Sequence, residues 1–129
     1  MPEQLAGETI LWRRVQPNKL HYENGTYRPQ SATFMPDSDG EICVHRADLA
    51  DPESITTHHP ADGIVRFQAH VVLALGYAVY ADPLPDDPSH AVIKPPSGWG
   101  PKACRRAANQ ILEQLGDDSW VVRNFPAIS

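Results

Sequence analysis

Arginines, a serine and a histidine are the residues of this chain whose types and placement could do chemistry. In the run LWRRV, Leu11, Arg13 and Val15 share one face of a strand, and Trp12 and Arg14 share the other. A guanidinium on an apolar face is costly unless it is paired or used. Arg13 could hold a phosphate or carboxylate through two N–H groups, or it could bridge an acidic side chain at the sheet end. Arg14 is expected on the outer face, its stem covering Trp12. Arg28 and Ser31 follow in RPQSATF, where a hydroxyl and a backbone N–H after a proline turn can meet an anion. The competing role for Ser31 is a turn cap. His90 opens a strand after a loop of prolines and aspartates, a place suited to a general acid or base, or to a strand-end histidine bonded to backbone. The expected assignment is therefore His90 as catalytic and Arg13, Arg28 and Ser31 as ligand-binding.

Other signals are less specific. His45, His58, His59 and His70 complete a set that a metal could use only if three or four ligands converged. His58 and His59 are adjacent and point apart on regular structure, and neither H-E-x-x-H nor H-x-H occurs, so no metal site is expected. Ser97-Gly98-Trp99-Gly100 precedes a helix, where anions bind readily, but it lacks the G-x-x-x-x-G-K-[ST] pattern, and Trp99 has an ordinary role against the core. No G-x-S-x-G makes Ser31 a hydrolase nucleophile.

The elements that must position these residues are short. Strands are expected over residues 9–15, 41–45, 64–68, 77–81, 90–94 and 120–125. An extended piece is expected over 31–35, and a loop with a turn at Asn24-Gly25 over 18–30. Asp51-Pro52 starts a short helix. A second helix runs over 69–75 and stops at Gly76. Residues 82–89 hold prolines and aspartates and read as a surface loop. The clearest helix spans 101–115, with Cys104, Ala107, Ala108, Ile111, Leu112 and Leu115 on one stripe. Together these predict a single α+β domain over residues 1–129, a small curved and mostly antiparallel sheet packed by two or three helices.

Composition bounds the function. The chain has 129 residues, 41% of them hydrophobic, and carries a net charge of −5, its acidic excess lying in the first half. Such a chain is a poor general binder of nucleic-acid backbones, though Lys94, Lys102, Arg105 and Arg106 could hold a small anion. Thirteen prolines point to stiff connections. Cys43 and Cys104 sit in apolar patterns and read as buried, unpaired thiols in a reducing compartment. No secretory leader opens the chain, and no apolar run is long enough to span a bilayer. The expectation is a cytoplasmic protein without membrane contact.

The order LWRRV, RPQSATF, EICVHRADL and DPSHAVI resembles small uncharacterised bacterial proteins with an R-R-V start, a P-x-S-A-x-F block and a D-P-x-H-A strand. That resemblance covers most of the chain and implies no activity. A looser likeness is to the ADP-ribosyltransferase group and its RES-type toxins, which open with an aromatic-Arg pair, here Trp12-Arg13, and continue with a strand-to-helix segment, here residues 42–49. Those proteins carry a catalytic Glu on a late strand. Here SHAVI places His90 at the comparable position, and no Q/E-x-E occurs. Three functional expectations follow. The first is an accessory domain that binds a protein partner in a multi-protein system. The second is an ADP-ribosyltransferase-like enzyme handling NAD or another nucleotide, with Arg13 on a phosphate, Ser31 on the ribose and His90 as acid or base. The third is a metal-dependent enzyme. No particular cofactor is implied.

Overall fold

Strand β1 (Ile10–Val15) buries Leu11, Arg13 and Val15 and leaves Trp12 and Arg14 partly exposed, as a period of two requires. The computed structural model describes residues 3–23 and 26–122. In it β1 pairs antiparallel with β4 (Ile42–Arg46) on one side and β5 (Gly63–Gln68) on the other. Strand β7 (His90–Lys94) lies beyond β4, β6 (Ala78–Ala81) beyond β7, and β8 (Trp120–Val122) beyond β5. The result is a six-stranded antiparallel sheet in the order β6-β7-β4-β1-β5-β8. Strands β2 (Leu20–Glu23) and β3 (Thr26–Pro29) form a separate hairpin.

Three helices complete the α+β fold that the residue pattern predicts. Helix α1 (Pro52–Thr56) is a single turn or so, started by Asp51, whose carboxylate accepts the Ser54 N–H at 2.8 Å. Helix α2 (His70–Leu73) ends in a turn at Gly76, where φ of +105° favours glycine. Helix α3 (Pro101–Gln114) buries Cys104, Ala107, Ala108 and Ile111. Ala107, Ala108 and Ile111 join Leu11, Val15, Val44, Val65 and Ile93 in one hydrophobic core, so α3 is the lid that gives the inner sheet face its partner. Among the described residues no helix is long and apolar enough to cross a membrane.

Two segments differ from expectation. The loop expected over residues 18–30 contains the β2–β3 hairpin, whose Tyr22 and Tyr27 rings meet edge to face at 5.5 Å. That cross-strand aromatic pair supplies the side-chain contact a short hairpin needs. The turn expected at Asn24-Gly25 lies outside the described residues, as does the end of the last strand, residues 123–125. The piece expected to be extended over 31–35 is a 3-10 turn, Ser31–Phe34, closed by Thr33 N–H to Gln30 C=O at 2.9 Å. Folding back there buries both Thr33 and Phe34, which an extended path through this polar segment would not.

Both thiols are free, but only Cys104 is buried; Cys43 is half-exposed, because it sits on the outer face of β4. Burial pushes the Cys43 thiol up, with Asp37, Asp39 and Glu41 adding to the rise and Arg13 opposing it. Iodoacetamide should therefore label the native protein slowly at neutral pH and faster at about pH 9, at Cys43 alone. Cys104 should react only in denaturant. Intact mass and peptide mapping read the count, and equal labelling of both thiols in the native state would contradict the packing of α3.

Candidate functional site

Arg13 reaches from the inner face of β1 to the end of the sheet. Its Nε donates to the Thr33 carbonyl at 2.9 Å and its Nη1 to the Cys43 carbonyl at 2.7 Å. The 3-10 turn and β4 thus hold the guanidinium by backbone oxygens, which are dipoles rather than charges. Among the described residues no carboxylate forms an ion pair with it. The side chain is only 9% exposed, and burial lowers its pKa, although Asp37 pulls the other way. Among the described residues Nη2 and the second Nη1 hydrogen find no acceptor, so a fixed cation keeps part of its hydrogen-bonding fork open. Arg14 faces outward toward Asp62, Nε to Oδ2 2.8 Å, which partly neutralises it.

Two histidines stand beside these arginines. His45 and His90 are direct partners across β4 and β7, and their rings meet edge to face with centroids 6.3 Å apart. Residues 82–89, read from sequence as a plain surface loop, fold back to hold both rings. His45 Nδ1 lies 3.1 Å from Asp87 Oδ2 and 3.2 Å from Ser89 Oγ. Asp87 is itself fixed, since its Oδ1 accepts the Ser89 hydroxyl at 2.6 Å and the Ser89 N–H at 3.2 Å. His90 Nδ1 lies 3.0 Å from the Asp82 carbonyl and 3.2 Å from Asp82 Oδ2. Partners that only accept set both rings as Nδ1–H donors. Each Nε2, with no protein partner among the described residues, is then the nitrogen left to take up or give a proton.

One cleft of about 320 Å³ brings these groups together, lined by Arg13, Arg14, Gln16, Lys19, Asp37, Cys43, His45 and His90. Lys19, from the 3-10 turn Pro17–Lys19, has no carboxylate partner among the described residues and adds a second uncompensated cation. Asp37 is the opposing carboxylate. Of the residues expected to form a site, Arg13 and His90 meet here. Ser31 does not line this cleft; its hydroxyl accepts an Arg105 N–H at 2.9 Å on an exposed face. Arg28 lines a separate cavity of about 270 Å³ with Tyr27, Leu112 and Trp120. His58 and His59 are exposed in the turn after α1. From sequence His45 stood only as one of a histidine set, and Asp82 and Asp87 were passed over. The available signal was the D-x-S-H spacing of Asp87 to His90, which lets a loop carboxylate reach a neighbouring strand. No protein-family model, curated protein or solved structure matches this chain.

Burial lowers the His45 pKa below its ordinary value; Asp87 pulls it up without outweighing burial, and His90, Arg14 and Arg13 push it further down. The folded protein then binds the proton less well than the unfolded chain. His45 contributes stability above the unfolded value near 6.5, and this is lost as pH falls through the folded value. Between pH 7.5 and pH 5 the wild type should lose more of its urea midpoint than His45→Asn. Equal losses would show that the ring is not desolvated as described.

Proposed function

We propose that the protein binds a small phosphorylated ligand of nucleotide type in the Arg13 cleft. The observation that carries this reading is that Arg13 and Lys19, neither in an ion pair among the described residues, line one cavity in a chain whose net charge is −5. In an acidic protein, two unpaired cations facing one cleft against the single carboxylate of Asp37 draw an anion to one place. Arg13 supplies a preorganised fork, which suits phosphate oxygens, and Lys19 supplies a mobile point charge at the rim. A volume of about 320 Å³ lies at the small end of ligand sites. It fits one phosphate ester with part of its nucleoside better than a whole dinucleotide, so a mononucleotide suits the cleft better than NAD.

This reading keeps the nucleotide-handling half of the transferase likeness and assigns no role to the missing late-strand glutamate. For the partner-binding alternative, the exposed large apolar side chains among the described residues, Ile10, Tyr22, Leu49, Leu73 and Leu84, come from different segments rather than one face of one element, which favours the cleft. Calorimetry with AMP, ATP, cyclic AMP, NAD and inorganic phosphate tests the proposal. At least one mononucleotide should bind, more weakly as salt rises, and Lys19→Glu should weaken it by about tenfold or more. Absence of heat and of thermal shift with every phosphorylated compound would overturn it.

A further inference from the structure

We propose that this cleft hydrolyses a small phosphodiester, such as a cyclic mononucleotide, with His45 and His90 as a general base and general acid pair. The inference rests on the phosphate-binding reading and adds chemistry to it. The two rings stand side by side on paired strands, and each is oriented through Nδ1 by the loop of residues 82–89. That leaves two Nε2 atoms for a ligand held in the cleft that Arg13 also lines. The rings meet edge to face with centroids 6.3 Å apart, close enough for both to reach one ester bound in the cleft they line. An acid and a base on the same ester are what in-line displacement at phosphorus needs.

The step balances without a cofactor. Neutral His45 takes a proton from water at Nε2 while the water oxygen forms a bond to phosphorus. The bond from phosphorus to the ester oxygen breaks, and that oxygen takes the proton held on Nε2 of the His90 imidazolium. An acyclic diester gives a phosphate monoester and an alcohol, and a cyclic one gives a single ring-opened monoester carrying the freed hydroxyl; the two imidazoles return to their starting forms by proton exchange with solvent. Arg13 and Lys19 face the phosphoryl oxygens, where charge accumulates. Asp87 and Asp82 are positioning residues, acting through the rings they hold. Groups facing His45 are Asp87 and Ser89 from the loop, His90 from β7, and Arg13 and Arg14 from β1. Burial that keeps His45 unprotonated near neutrality favours it as the base.

The test is phosphorus NMR of wild-type protein incubated with 2′,3′-cyclic AMP, 3′,5′-cyclic AMP, bis(4-nitrophenyl) phosphate and NAD. Turnover of at least one diester to its monoester is expected, with a bell-shaped pH profile. His45→Asn and His90→Asn, purified identically, should each lose a hundredfold or more of the rate while still binding AMP by calorimetry. Asp87→Asn should lose about tenfold and shift the acid limb of the profile, an effect a merely structural role would not produce. AMP binding without turnover of any diester would overturn the proposal and leave the binding reading standing. Loss of AMP binding as well would remove both. A variant that keeps wild-type rate without its histidine would also overturn it, as would cleavage confined to the glycosidic bond of NAD.

Discussion

Replacing Phe34 with alanine should lower stability by about 3–5 kcal/mol, through lost burial and the cavity left behind. Phe34 is fully buried in the main core and stacks edge to face on Phe67 of β5 with centroids 5.6 Å apart. It also anchors the 3-10 turn whose Thr33 carbonyl takes the Arg13 Nε hydrogen. The substitution should thus loosen the cleft as well as the core. Urea denaturation and AMP calorimetry on one preparation read both effects. A stability loss under about 1 kcal/mol would mean that the turn is not held by this ring.

Arg13→Ala should have the larger effect on ligand binding. It removes two hydrogen bonds from a charged donor, each worth roughly 1.5–3 kcal/mol, and leaves the Thr33 and Cys43 carbonyls without that partner. Relief of the cost of burying a guanidinium offsets part of this, so the net loss of stability should be about 2–3 kcal/mol. Mononucleotide affinity should fall a hundredfold or more. Arg13→Lys separates charge from geometry, because an ammonium cannot satisfy both carbonyls and still present a fork to phosphate. It should recover part of the stability and little of the affinity. If Arg13→Lys binds as well as wild type, the fork is not what recognises the ligand.

Local patterns made much of the sheet legible. The alternation in LWRRV placed Arg13 inward because period two is a local property, and His90–Lys94 was bounded by an equally local change from prolines to β-branched residues. The path of residues 31–35 was read as extended for the opposite reason. The turn that Ser31 starts depends on burying Thr33 and Phe34 against elements distant in sequence, and nothing in RPQSATF announces that. His45 was visible as a histidine but not as a partner of His90, since strand pairing between β4 and β7 is a register decided by the whole sheet. Asp87 was hidden more deeply. A proline-rich loop reads as exposed, and its carboxylate acquires a role only when His45 arrives from a segment more than forty residues earlier.

The strand order has a consequence for how the molecule comes to exist. Among the described strands of the six-stranded sheet only β6 and β7 pair with no other strand between them in sequence. The central strand must find Arg46 and His45 on one edge and the stretch from Gly63 to Gln68 on the other. Closing such large loops before any pairing enthalpy returns makes assembly slow, on the order of milliseconds to seconds for topologies of this kind. Arg13, His45 and His90 sit on those late-closing pairings. No single hairpin or helix holds them together, so the cleft should form in a single kinetic phase with the last of the tertiary structure, and a chain still emerging from synthesis would lack it until residue 90 and the strand containing it had docked.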